Sequence, residues 1–137
     1  MPSENFRFMT VASSSVSEML NVMTDEQARR FGRGSGAERI VEFVTFFFKK
    51  FNLEMTLEAL EMIGPRYGKN FQFDHIVAGK IHTLIIRHAR GARTSAYYSE
   101  TFKAVFEHLG MNVQSTETED QVTMRMSKGN GLPANPF

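Results

Sequence analysis

The sequence predicts an α+β fold: N-terminal helices packed on one face of a small, mainly antiparallel sheet, followed by a C-terminal strand-helix-hairpin unit. Three observations carry this reading. Apolar residues recur at helical spacing between Thr24 and Ile63, and again between Ser95 and Leu109. Ile81 to Ile86 is apolar and β-branched, the composition of an inner strand. Met111 to Gln114 and Gln121 to Met126 both alternate apolar with polar residues, as the two arms of a hairpin do. Helices that come first and strands that come later favour a layer of helices on an antiparallel sheet.

Taken in order, Phe6 to Val11 (FRFMTV) predicts a short strand, either within the sheet or paired across a dimer. Ser13, Ser14 and Ser15 are helix-capping types ahead of VSEMLNVM, which predicts a short helix. Thr24 and Gln27 have capping-box spacing, and Asp25 and Glu26 suit the positive end of a helix dipole. That helix is expected to run from Asp25 to about Phe31. Gly32 to Gly36 (GRGSG) predicts a break, because each glycine in a helix costs about 1 kcal/mol relative to alanine. With Arg29, Arg30 and Arg33 around it, the break reads as a basic, solvated turn.

Residues 37–51 predict the strongest helix of the first half. Ile40, Val44, Phe47, Phe48 and Phe51 form its stripe, widened by Val41, Phe43 and Phe46. One packed face does not require so broad an apolar surface, so either the helix is central to the fold or its second face meets another subunit, and a homodimer is the expectation. Thr56 to Ile63 is a shorter helix with Leu57, Leu60 and Ile63 inward, stopped by Gly64-Pro65. Phe71 to Phe73 predicts a strand or its lead-in. Ile76 to His88 reads as one long strand with Gly79 as a bulge or close-approach point. A helix from Ser95 then ends at Gly110, and the hairpin turns through the acidic TETED segment. Residues 1–127 are expected to form a single domain and residues 128–137 a mobile tail.

Composition narrows the function classes. The 137 residues are 42% apolar and 12% aromatic, enough for one cored domain. The net charge of +1 provides no global field for nucleic acid or membrane, so any basic footprint is local. With no cysteine, disulfides and thiolate metal sites are excluded. The start of the chain does not read as a secretory signal, and no apolar run reaches membrane-span length. The expected location is cytoplasmic.

The densest chemical signal is the turn from the long strand into the last helix, RHARGARTS. Arginine offers a planar fork of donors matched to carboxylate and phosphate oxygens. Thr94 or Ser95 is expected to cap the helix, whose first-turn amides favour an anion, and Gly91 permits close backbone approach. The expected anion-binding set is therefore Arg87, His88, Arg90, Arg93, Thr94 and Ser95. The competing reading is a solvated basic turn whose arginines pair with nearby acids such as those of TETED. Tyr97 and Tyr98 open the helix, one packing inward and the other placed to line the mouth of a pocket.

Arg87 and His88, in the string LIIRHA, resemble the RHG or RHA motif of the histidine phosphatases, whose motif histidine becomes phosphorylated. In that family the motif lies near the N-terminus, ahead of a large α/β domain supplying a second histidine and an acid. Here a helix and a hairpin follow, and no family is assigned. His82 and His88 are too far apart along a strand to share a metal, and His75 and His108 add no metal-ligand spacing. No metal and no cofactor is expected. The arginines around His88 favour its neutral form.

The function these features predict is a non-enzymatic binding or regulatory domain for an anionic small molecule bearing phosphate or carboxylate, acting as a homodimer. One alternative is a nucleic-acid-binding protein using RRFGR and RHARGAR as phosphate clamps. Another is an enzyme on an anionic substrate with His88 as base, for which no second catalytic group is identified.

Overall fold

A computed structural model of the chain describes residues 18–66 and 71–129. The expected strand at 6–11, the start of the VSEMLNVM helix and nearly all of the expected tail lie outside them. The order of elements is α1 (Asp25–Phe31), α2 (Ala37–Phe48), α3 (Leu53–Glu61), β1 (Gln72–Ala78), β2 (Ile81–Arg87), α4 (Ala92–His108), β3 (Met111–Glu117) and β4 (Gln121–Lys128). The α+β class is as the sequence predicts.

Thr24 caps α1 through a complete capping box: its side chain accepts from the Gln27 N–H, and the Gln27 side chain accepts from the Thr24 N–H. The glycines that follow do not break the helix. Gly32–Gly36 is a π-helical turn, and α1 and α2 form one continuous helix through it. The reason is close approach. A Cβ on Gly32 would lie 2.5 Å from the Tyr97 carbonyl oxygen, and one on Gly36 would collide with Thr101 Oγ1. Glycine at both positions lets this helix lie against α4, and that contact compensates the propensity cost. Helix α2 ends at Lys49, whose φ of 61° is left-handed.

Asn52 caps α3, accepting from Met55 N–H at 2.8 Å. Gly64-Pro65 does not stop the helix abruptly either. A second π-helical turn, Met62–Arg66, absorbs the proline, and Gly64 leaves room for the Phe71 ring.

The region read as one long strand is a hairpin. Ala78 pairs with Ile81 across Gly79-Lys80, and Gly79 takes a φ of 62°. A two-residue turn of this kind favours glycine in the lead. The sheet is antiparallel throughout, in the order β1-β2-β4-β3. Its inner face carries Leu84, Ile86, Val122, Met124 and Met126, all buried with Phe102, Val105 and Phe106 of α4 and Ile40, Phe43 and Val44 of α2. β4 extends through Lys128, paired with Met111, one residue past the expected domain boundary.

A smaller cluster of Leu20, Ala28 and Ala96 joins the first helices to the start of α4. An ionic staple ties the continuous α1–α2 helix to α4 and β3. Arg29 makes a bidentate pair with Glu117 at 2.7 and 2.9 Å and donates to Asp25 at 2.8 Å. Arg33 reaches Glu100 at 2.8 Å. The Glu117 hydrogen bond, more than any other influence, holds Arg29 even more firmly charged, and the Arg29 hydrogen bond lowers the Asp25 carboxyl. Two arginines of the RRFGR segment are thus engaged by the chain's own carboxylates.

Candidate functional site

The β2–α4 connection is built by one residue in an unusual conformation. Ala89 takes a φ of 56°, a left-handed value that side-chain-bearing residues adopt at a cost of about 1 kcal/mol or more. Its stability comes from the neighbouring turn: the Asp120 carbonyl accepts from the N–H of His88 at 2.9 Å and of Ala89 at 3.5 Å. The bend turns the Arg90 N–H back onto His88 Nδ1 at 2.9 Å. Gly91, with φ 96°, then occupies the N-cap of α4, with no side-chain cap.

Thr94 and Ser95 are therefore not caps. They lie inside the first turn and are buried. Thr94 Oγ1 bonds back to the Arg90 carbonyl at 3.4 Å. Ser95 Oγ donates to the Thr118 carbonyl at 2.5 Å and lies 2.7 Å from His88 Nε2. Because the serine proton is spent on Thr118, His88 Nε2 carries the proton that bridges to Ser95. Its Nδ1 accepts from Arg90. Both ring nitrogens are occupied, and the neutral Nε2–H tautomer is fixed.

Burial lowers the His88 pKa; Asp120 opposes the shift and Arg90 adds to it. The folded protein thus binds fewer protons than the unfolded chain, whose histidine titrates near about 6.5. His88 contributes stability that is complete above that pH and is lost as pH falls through the folded value. His88→Asn is expected to lower stability at pH 7 and to flatten the decline between about pH 7 and 5. Urea unfolding midpoints across that range provide the check, and a decline as steep as that of the unaltered protein would refute the assignment.

Arg87, His88, Ala89 and Arg90 line a cleft of about 670 Å³. Its other walls are Pro65 and Phe71 on the apolar side and Gln72, Asp120 and Gln121 on the polar side. Phe71 is buried edge-on against Tyr98, at 5.5 Å, and Phe102, at 5.9 Å, so the apolar wall is continuous with the core. Of the two tyrosines, Tyr98 stands beside this wall, 5.4 Å from the His88 ring, and burial raises its phenol pKa. Tyr97 stacks on Phe31.

The six sequence-selected residues divide. Arg87, His88 and Arg90 meet at the cleft. Ser95 and Thr94 support the turn from behind. Arg93 turns away, its Nε donating to the Met23 carbonyl at 2.8 Å. Arg87 pairs with Asp74 at 2.5 Å, on groups that are both about half exposed. Phe71, Pro65 and Gln121 were not among the selected residues. Only the chain's folding brings them there, although the TETED acids were an expected neighbour, and Asp120 is one of them.

No protein-family model and no curated protein matches the sequence. Among solved structures, a two-substitution variant of Tt H-NOX is similar to this chain. The identity is 14% and the TM-score 0.54, over 91% of this chain and 71% of that one. At this identity the likeness shows a shared fold alone. No helix among the described residues is long and apolar enough to cross a membrane.

Proposed function

We propose that this chain is a non-enzymatic ligand-binding domain whose cleft takes a small molecule carrying a phosphate or carboxylate. The observation that carries the reading is the joint lining of one cleft by two guanidinium-bearing residues, Arg87 and Arg90, and two apolar ones, Phe71 and Pro65. Such a surface suits an amphipathic ligand: the anion meets the arginine forks and the rest lies on the ring of Phe71. A catalytic reading finds less support, because His88 spends both nitrogens inside the turn. The nucleic-acid reading loses Arg29 and Arg33 to internal pairs. A cytoplasmic location and a homodimer formed through α2 belong to the same proposal; Phe46, Phe47 and Phe48 are only half-buried within one chain.

Asp74 is the internal competitor for Arg87. An exposed pair of this kind is worth about 0–1 kcal/mol, little enough for a ligand anion to displace. Pyrophosphate and citrate are therefore expected to raise the thermal midpoint with rising concentration. Arg87→Ala and Arg90→Ala should remove most of the shift, and Asp74→Asn should enlarge it. Shifts of equal size in all four proteins would contradict the proposal. A steep salt-dependent affinity for random DNA, abolished by the same arginine variants, would favour the nucleic-acid reading.

A further inference from the structure

The β1–β2 hairpin brings together two histidines that sequence spacing keeps apart. Val77 pairs with His82 and His75 with Leu84, so His75 and His82 are diagonal neighbours on the same face of the sheet. That face is the core face, but here it runs beyond the cover of the helices. His75 is exposed and His82 half-buried. Their rings are nearly parallel, 9° apart, with centroids at 5.1 Å, and His75 Nε2 lies 2.8 Å from His82 Nδ1. Spacing along the chain does not place His75 beside His82; the hairpin register does.

We propose that His75 Nε2 and His82 Nδ1 form an open two-nitrogen site for a divalent transition-metal ion of the copper, nickel or zinc type. Imidazole nitrogens bind such ions at about 2.0–2.1 Å. Two of them at a right or tetrahedral angle then stand about 2.9–3.4 Å apart. The nitrogens now face each other almost in line, so on these partly exposed side chains they need to part by a few tenths of an ångström and both rings to turn until their lone pairs converge on the ion. In the neutral pair one ring donates its proton to the other. Binding shifts that proton to the far nitrogen of the donor ring, so both facing nitrogens become ligands with no net proton release. Among the described residues no cluster of three or more histidine, cysteine, aspartate or glutamate side chains is placed to hold a metal. The remaining coordination positions therefore belong to solvent or to an added ligand. Nitrogen donors alone rank copper and nickel above magnesium or calcium, which prefer oxygen.

The test is calorimetric titration of the full chain with nickel(II) and copper(II) in a non-coordinating buffer. One ion per chain is expected, with affinity reduced about tenfold or more in either His75→Ala or His82→Ala. The double variant should lose much less beyond the singles than each single loses from the unaltered chain, since one imidazole alone forms no chelate and holds the ion only weakly. Zinc(II) should move the ring resonances of His75 and His82 and leave those of His108 in place. Unchanged affinity in both single variants, or an equal loss in His108→Ala, overturns the proposal. Thermal unfolding of the metal-free variants separates lost ligation from a lost fold.

Discussion

Gly32→Ala is expected to lower the unfolding free energy by about 3 kcal/mol, at the upper end of overpacking costs. The added methyl meets the Tyr97 carbonyl oxygen at 2.5 Å and the Thr101 amide nitrogen at 3.2 Å. Both are backbone atoms of α4, so relief requires a shift of the whole helix. Helix propensity alone gives the opposite sign, a gain of about 1 kcal/mol for glycine to alanine. The outcome therefore separates packing from propensity. Gly36→Ala meets Thr101 Oγ1 and the Tyr97 hydroxyl, which are side-chain atoms, and should cost less. Gly34 has nothing within 4 Å, so Gly34→Ala should stabilise by about 0.5–1 kcal/mol. Urea unfolding of the three variants gives the comparison. Three shifts of one sign would contradict the close-packed helix pair.

Phe102→Ala is expected to cost about 3–5 kcal/mol. The side chain is 2% exposed and stands between Tyr98, at 5.6 Å, and Phe71. Its removal takes away one of the two rings that Phe71 packs against, leaving Tyr98. The apolar wall of the cleft should then loosen, so the variant should also lose affinity for a ligand with an apolar portion more than for pyrophosphate. Phe106→Ala supplies the control: Phe106 is fully buried in the same core, whereas the ring partners of Phe71 among the described residues are Tyr98 and Phe102. A comparable loss of stability there, with ligand discrimination retained, would tie the cleft to Phe102 specifically.

Local signals read well from the sequence, whereas signals that depend on register or on distant packing did not. The Thr24 capping box, the hairpin alternation of β3 and β4 and the amphipathic α4 rest on neighbours a few residues apart, and the structure repeats them. GRGSG is different. Its glycines are poor helix formers locally, and the compensating contact with α4 comes from residues far along the chain. The β1–β2 hairpin reads as one strand because apolar and β-branched residues stand on both sides of Gly79-Lys80, and the turn shows only in the positive φ of Gly79 and the pairing of Ala78 with Ile81. The His75–His82 pair depends on that turn. At the basic segment, residue types pointed to Arg87, His88 and Arg90 but did not separate them from Arg93. Helical phase sends Arg93 to Met23. Nor did they reveal that His88 is clamped by Arg90 and Ser95, because the clamp depends on the left-handed Ala89.

The joint lining of one cleft by Arg87, Arg90, Phe71 and Pro65 is the core of the account, and a crystal structure grown with pyrophosphate tests it directly. The expected map shows an oxyanion beside Phe71 within hydrogen-bonding distance of both Arg87 and Arg90, with Arg87 released from Asp74. A cleft empty of anion at saturating pyrophosphate, with Arg87 still on Asp74, would contradict the account.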